Sequence, residues 1–258
     1  MDTISVSESR GILTVTLERP EVRNAFNEAM IAELHKTFGE VGADTRVVIL
    51  KGDGKAFCAG ADVNWMRDSI HRSEEDNARD AAAMEAMFRA IDECPCPVIG
   101  QVHGLALGGA LGLVSACDIV VAAEMARFGF TEVRLGIVPA VISPYAVAKI
   151  GAEQARRYFV TGEIFDAARA QEIGLVHEVV HEDALVGTVE GIAESILNNG
   201  PQAVAVAKKL VRDVAGMTRD KARAYTIATI ARVRTSPEGQ DGLSAFLEKR
   251  KPKWIADQ

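Results

Sequence analysis

The stretch HGLALGGALGLVSACDIV, residues 103–120, decides the fold. It starts as a short strand, runs into glycines and continues as an apolar helix. Gly108, Gly109 and Gly112 fall where that helix begins, although each glycine costs a helix about 1 kcal/mol relative to alanine. Bare backbone must therefore serve another purpose at this point of the chain.

A similar pattern occurs three times along the chain. A buried strand of four to six residues, a bend of small residues and a short further segment follow one another in VVILKGDGKAFCAGADV (47–63), PVIGQVHGLALGGALGL (97–113) and DIVVAAEMARFGFTEVRLG (118–136). Repetition of this kind favours stacked turns of a spiral over a flat open sheet. The alternation of strands and helices predicts an α/β fold with parallel strands joined by crossover helices.

The flanking segments indicate a strand at the start and helices at the end. Leu13, Val15 and Leu17 alternate with threonines, which predicts a half-buried strand in a first hairpin or at a sheet edge. Capping residues or a first-turn proline mark helix starts at Asn27, Ser73, Asp166, Pro201 and Thr218. Strands give way to helices after about Ala152, and we interpret the tail as a region for lid formation or assembly.

Composition excludes several classes of protein. The 258 residues carry a formal charge of −7, and lysine and arginine are scattered, so neither a nucleic-acid interface nor binding to an anionic membrane surface is expected. No apolar run approaches the roughly 18 to 20 residues of a membrane span, and we expect a cytoplasmic protein. The four cysteines have neither zinc spacing nor histidine partners, which favours buried free thiols.

Two bends are candidates for binding a negatively charged oxygen. FCAGAD (57–62) and LGGALG (107–112) both follow strands and both leave the backbone bare. If they are neighbours in space, one amide from each can hold a single developing oxyanion. The alternative is that the glycines only permit tight packing of strands against helices.

Glu132 is the candidate acid or base. It lies in FGFTEVRLGIVP (128–139), where apolar neighbours would remove water from its carboxyl group and raise the pKa. It can equally form a surface pair with Arg134. Histidines in ligand spacing, a nucleophile elbow, a P-loop and GxGxxG are all absent from the sequence.

Several motifs in one order resemble the enoyl-CoA hydratase/isomerase (crotonase) superfamily across nearly the whole chain. The motifs are RPEVRNAFN, KAFCAGAD, HGLALGGALGLVSACDI, FGFTEVRLGIVP, YFVTGEIFDAARAQEIGLVHEVV and GLSAFLEKRKPKW. Within the superfamily, TEVRLGIVPAVISPY is most similar to the methylglutaconyl-CoA hydratase branch.

The resemblance implies a spiral of repeated strand-strand-helix turns with a C-terminal helical trimerisation region. We expect the spiral core and acyl-CoA site over residues 1–195, the trimerisation region over 196–258, and a homotrimer or a hexamer made of two trimers. It also implies that coenzyme A enters as part of the substrate and that no separate cofactor or metal is needed.

The resemblance assigns catalytic roles by motif. The thioester oxygen would lie between the amides of Ala61 and Gly109, and Glu132 would act as general acid and base. The second glutamate usual in hydratases falls at Gly112, so half of the usual water-holding pair is missing. We expect the vacated space at Gly112 to admit a branched or carboxylated acyl group.

The resemblance also places coenzyme A. It would pass the first bend at Ala59, Ala61, Asp62, Val63 and Asn64, while Phe246 and Lys249 of a neighbouring subunit close over it. Gly108 is a further residue expected to bind the substrate or coenzyme A.

The expected reaction is hydration of a 2-enoyl-CoA thioester. One carboxylate suffices to move a proton, so a 3,2-enoyl-CoA isomerase is the alternative enzyme. A catalytically reduced CoA-binding member of the superfamily is the alternative outside catalysis.

Overall fold

Two sheets and a set of covering helices form the structure, a computed structural model that describes residues 2–256. The strands are β1 (Ile4–Ser9), β2 (Ile12–Leu17), β3 (Val47–Gly52), β4 (Val98–Val102), β5 (Leu105–Leu107), β6 (Ile119–Ala123), β7 (Arg127–Gly129), β8 (Phe165–Asp166) and β9 (Glu178–Val180). The helices are α1 (Glu28–Gly39), α2 (Val63–Ser69), α3 (Glu74–Asp92), α4 (Ala110–Ala116), α5 (Ser143–Thr161), α6 (Ala167–Glu172), α7 (Leu185–Leu197), α8 (Pro201–Ala215), α9 (Arg219–Thr235), α10 (Pro237–Glu248) and α11 (Lys253–Ala256).

The larger sheet has the strand order β1-β2-β3-β4-β6-β9. β1 and β2 form the antiparallel hairpin that the alternating residues predict, and every later neighbour pair is parallel. Leu13, Val15 and Leu17 point into the core, which explains the alternation with threonine. The predicted parallel arrangement with helical crossovers is confirmed.

The smaller sheet, β5-β7-β8, accounts for the threefold pattern in the sequence. In each of two turns, a strand of the large sheet continues into a short strand of the small one: β4 into β5, and β6 into β7. In the turn before them, β3 leads to Cys58, which pairs with Ala106 of β5 as an isolated parallel bridge. A helix follows in each case, so the predicted spiral of strand-strand-helix turns is confirmed.

Helices cover both faces of the large sheet. On one face α1, α3, α4 and α5 enclose the main core, which includes Phe26, Phe57, Phe88 and Phe128, all fully buried. On the other face α7 packs Leu185 and Val189 on the sheet. Each such buried apolar side chain contributes about 1.5 to 3 kcal/mol to folding.

The predicted helix starts are found in the structure. Asn27 accepts a hydrogen bond from the amide of Met30, Ser73 forms a capping box with Asp76, and Asp166 accepts from the amide of Arg169. Pro201 is in the first turn of α8 and Thr218 precedes α9.

Helices α8 to α10 form the C-terminal part and bury few side chains. The large apolar side chains that remain exposed there are Val211, Ile227, Ile230, Leu243, Phe246 and Leu247. None of the helices described between residues 2 and 256 is long and apolar enough to cross a membrane.

Candidate active site

The first bend is held in place by the segment after β2. Phe26 donates its amide to the carbonyl of Gly60 and accepts from the amide of Asp62, both through the backbone. Amide and carbonyl groups of successive extended residues point to opposite sides, so the N–H of Ala61, between these two, points away from Phe26. Asn24 holds the chain just before this bend, because its side-chain amide donates to the carbonyls of Asp53 and Ala56.

The second bend lies directly against the first. A Cβ built on Gly60, which has φ +95°, would lie 2.6 Å from the carbonyl oxygen of Leu107 and 3.6 Å from the amide nitrogen of Gly109. A Cβ on Gly109 would lie 2.5 Å from the ring of Phe26. Glycine is required at both positions because the two backbones and one aromatic ring share this space.

Two backbone amides at these bends have no protein partner. Within the described part of the chain, the N–H groups of Ala61 and Gly109 donate to no acceptor, whereas the amide of Gly108 donates to the carbonyl of Gly129. Ala61 and Gly109 line one cavity of about 280 Å³. An acceptor entering that cavity can take both hydrogen bonds.

Glu132 lies in the wall of the same cavity. It begins the 3-10 turn Glu132–Leu135 that follows β7, and a Cβ built on Gly108 would lie 3.6 Å from its Oε1 atom. Its Oε2 atom is buried and has no hydrogen-bond partner in residues 2–256. Burial raises the pKa of this carboxyl group, although the residue's own backbone amide partly opposes the shift.

The alternative pairing of Glu132 with Arg134 is absent from the described residues. Arg134 instead lies against Gly162, where its Cγ atom would be 3.4 Å from a built Cβ. The acid is therefore a desolvated group in the wall of the cavity and not one half of a surface ion pair.

The remaining lining is almost entirely apolar. Besides Ala61, Gly109 and Glu132, the cavity is lined by Phe26, Trp65, Met66, Asn77, Asp80, Ala81, Met84, Ile137, Val138, Pro139, Ala140, Val141 and Ile142. Phe26 lies just before α1, and the others come from α2, from one face of α3 and from the loop before α5.

The open space expected beside Gly112 does not exist, and that expectation is wrong. Gly112 is buried, and a Cβ built on it would lie 2.5 Å from Ile142 and 2.7 Å from two ring atoms of Phe88. Gly112 is not among the residues that line the cavity. The glycine permits close packing of α4 against α3 and the start of α5, so the acyl group must be accommodated elsewhere.

The residues expected along the coenzyme A path divide into two groups. Asp62 is buried, caps α2 by accepting from the amide of Asn64, and pairs with Arg19 at 2.8 Å. Burial opposes ionisation of Asp62, but these hydrogen bonds and the Arg19 charge outweigh it and lower the pKa. Its carboxylate is thus used to hold the bend. Val63 and Asn64 are exposed at the start of α2, and Ala59 donates its amide to the carbonyl of Arg23.

Phe246 and Lys249 are both exposed in the single chain. Phe246 lies on α10 with 82% of its surface exposed, and Lys249 is the left-handed residue that ends the helix. Neither is among the residues that line the cavity.

Sequence reasoning missed four polar or aromatic residues of the site: Phe26, Trp65, Asn77 and Asp80. Phe26 lies in the RPEVRNAFN motif, which carried the resemblance without a role for that residue. Asn77 and Asp80 are one turn apart on α3, and their spacing is also that of an ordinary solvated face.

Other polar clusters have partners of their own. A cleft of about 900 Å³ is lined by Arg46 and Trp254 among others, but Arg46 donates to the carbonyls of Leu197 and Asn199 and Trp254 donates to that of Asn198. The four cysteines are buried free thiols, as predicted. No group of three metal-ligating side chains occurs among the residues that the structure describes.

Known proteins match this chain over almost its full length. The family model described as "Enoyl-CoA hydratase/isomerase" matches residues 7–257. A 2,3-dehydroadipyl-CoA hydratase of Escherichia coli is 31% identical over 255 residues, covering 98% of each chain. A crotonyl-CoA hydratase of Syntrophomonas wolfei is 33% identical over 262 residues, covering 99% of this chain and 98% of that protein. Among solved structures, an enoyl-CoA hydratase from Shewanella pealeana superposes with a TM-score of 0.93 at 39% identity, covering 98% and 96% of the two chains.

Proposed function

The chain belongs to the enoyl-CoA hydratase/isomerase family, and we propose that it is an enoyl-CoA hydratase that adds water to a 2-enoyl-CoA thioester. One observation carries the proposal: a buried carboxylate with an unpartnered oxygen shares a cavity with two backbone amides that lack acceptors. A thioester carbonyl satisfies the amides, and the carboxylate is then beside the carbons that react.

The reaction needs only one acid/base group. Glu132 takes a proton from water as the water oxygen bonds to C3, and the electron pair of the double bond moves into the thioester as an enolate. The amides of Ala61 and Gly109 stabilise the enolate oxygen. Glu132 then returns its proton to C2, so that the elements of water have been added and the enzyme is unchanged.

Burial of Glu132 suits this role. A carboxyl group with a raised pKa holds the transferred proton more readily than an exposed one, yet can still start as the base. Nothing in this scheme uses a separate cofactor, and coenzyme A acts only as the carrier of the acyl group.

The acyl group proposed is branched or carboxylated, as in the methylglutaconyl-CoA hydratase branch. Support comes from the loop 137–142, which contributes six apolar lining residues and contains no glycine. Because Gly112 is closed off, the extra substituent would lie among α2, α3 and this loop.

We further propose that residues 1–195 act as the core with the site and that residues 196–258 assemble the chain into trimers or hexamers. The exposed apolar residues of α9 and α10 support this, since contiguous apolar patches on a protein surface usually mark sites of contact with another protein. Phe246 and Lys249 would then reach the coenzyme A of a neighbouring subunit.

The experiment is a parallel assay of crotonyl-CoA, 3-methylglutaconyl-CoA and a 3-enoyl-CoA. We expect the conjugated thioester absorbance of at least one 2-enoyl substrate to fall as the 3-hydroxyacyl product forms. Absence of hydration for all of them would overturn the proposal.

The 3,2-enoyl-CoA isomerase is the second candidate, because Asp80 is ion-paired with Arg72 and Glu132 is the one carboxylate of the described cavity wall without such a partner. Formation of a conjugated thioester from the 3-enoyl-CoA without hydration would favour it.

A further inference from the structure

Two of the three charged or amide side chains in the cavity wall belong to one cluster on α3. Asn77 and Asp80 line the cavity, and both contact Arg72. Asp80 accepts a hydrogen bond from Nη1 of Arg72, and Asn77 Nδ2 donates to the carbonyls of Arg72 and Ser73 at 3.4 and 3.0 Å. We name Arg72, Asn77 and Asp80 the Arg72 cluster.

The cluster and the reacting groups belong to different parts of the cavity wall. The unpartnered amides of Ala61 and Gly109 lie in the two bends and Glu132 follows β7, whereas Asn77 and Asp80 lie in the first turns of α3. Arg72 is just before α3 and is not itself a lining residue, but its hydrogen-bond partner Asp80 is. A group bound at the cluster would therefore belong to a part of the substrate other than the thioester carbonyl.

Arg72 is fixed by its neighbours but keeps hydrogen-bond donors for a ligand. The Nδ2 group of Asn77 donates to its main-chain carbonyl and Asp80 accepts from its Nη1 group alone, while its Nε and Nη2 groups donate to no acceptor among the described backbone and side chains. About a third of its side chain, 32%, is exposed. A guanidinium has five N–H donors, so a second carboxylate can bind to its remaining edge.

The cluster also fits poorly with a purely hydrocarbon chain. Among the ion pairs of the described residues, Arg72–Asp80 is the one that includes a residue of the cavity wall. Covering it with apolar atoms would remove water from two charges without adding a polar partner, which is unfavourable. A negatively charged terminus replaces the lost water with a charge-assisted hydrogen bond.

From these contacts we propose that Arg72 is a specificity residue that binds a carboxylate at the distal end of the acyl chain. The inference rests on the proposed function and narrows it to enoyl thioesters that carry a second, free carboxylate. Asn77 and Asp80 are positioning residues for Arg72.

The test separates recognition from catalysis by using saturated thioesters, which cannot be hydrated. Dissociation constants of glutaryl-CoA and butyryl-CoA are measured by calorimetry with the full chain. We expect glutaryl-CoA to bind at least about 10-fold more tightly, as one charge-assisted hydrogen bond allows. Arg72→Met should remove most of this difference.

The matched control is Arg79→Met. Arg79 is on α3 beside Asp80, is 65% exposed and pairs with Glu75 and Asp76, none of which lines the cavity, so the preference should persist. Equal affinities in the unchanged protein, or loss of preference in both variants, would overturn the inference.

Kinetics supply the second readout. The ratio of kcat/KM for 3-methylglutaconyl-CoA to that for crotonyl-CoA should fall at least about 10-fold in Arg72→Met. If no enoyl thioester is hydrated but the glutaryl preference holds and depends on Arg72, the proposed function fails and this inference stands.

Discussion

Glu132 combines a buried, unpartnered oxygen with a place beside two unpaired amides, so its removal tests the mechanism directly. We expect Glu132→Gln to lower kcat at least about 100-fold, within the usual range for acid/base catalysis, because glutamine cannot carry the proton. The control is Glu153→Gln, an exposed residue on α5. Near-normal turnover of Glu132→Gln would remove this residue from the reaction.

The direction of the Glu132 shift also predicts a pH dependence. Burial raises the pKa above its ordinary value of 4.5, and the first step needs the ionised form. The acidic limb of kcat/KM should therefore lie above the range of exposed carboxyl groups, with activity rising as pH increases through it. A limb at or below the ordinary value would contradict a desolvated base.

The raised pKa of Glu132 also predicts how stability depends on pH, and the direction is opposite to that of activity. A carboxyl group whose pKa is raised on folding favours the folded state below its unfolded pKa and loses that contribution as pH rises through the folded pKa. Glu132→Gln should therefore be at least as stable as the unchanged protein at pH 7. Thermal unfolding at pH 7 and near pH 4 measures this, and a lower Tm for the variant at pH 7 only would contradict it.

At the scale of elements, close packing explains both glycines at the start of α4, while the oxyanion role of the Gly109 amide stays a prediction. Gly109 is required where two bends and the ring of Phe26 meet, whereas Gly112 is required where α4 meets α3 and the start of α5. One short sequence thus combines an exposed amide with a tight helix contact.

Packing at Gly112 leads to a stability prediction. Gly112→Ala places a methyl group 2.5 to 2.7 Å from Ile142 and Phe88, so we expect a loss of roughly 1 to 3 kcal/mol of unfolding free energy. Gly191→Ala is the matched control, because Gly191 is within α7 and a built Cβ meets nothing within 4 Å. That change should stabilise the chain by up to about 1 kcal/mol. Denaturant midpoints compare the two, and a neutral Gly112→Ala would mean that the contact is loose.

The elements themselves could be predicted because their signals are local. Caps at Asn27, Ser73 and Asp166 and the alternation in β2 depend on neighbouring residues, and all appear as expected. The closed space at Gly112 could not be predicted, because it depends on Phe88 and Ile142, which are 24 and 30 residues away in sequence. The same holds for Asn77 and Asp80, whose place in the cavity wall follows from how α3 packs.

At the scale of the whole molecule, the large sheet and the C-terminal helices differ in how they bury their surfaces. The sheet is covered on both faces by helices of its own chain, but α10 leaves Leu243, Phe246 and Leu247 at 51%, 82% and 79% exposure. Neighbouring exposed apolar residues of this size on one helix indicate an interaction surface. A surface of that kind fits the proposed assembly through residues 196–258.

A change on α10 should therefore weaken assembly and substrate binding together. We expect the purified chain to have a solution mass close to three or six times 27.7 kDa, and Phe246→Asp to shift it toward a single chain because a charge would be buried in the contact. If Phe246 of one subunit also covers the coenzyme A of the next, KM should rise in the same variant. Val6→Asp, at a 40% exposed position on the edge strand β1, should change neither quantity. Light scattering coupled to size exclusion measures the mass, and a Phe246→Asp variant that stays trimeric with unchanged KM would show that α10 serves neither purpose.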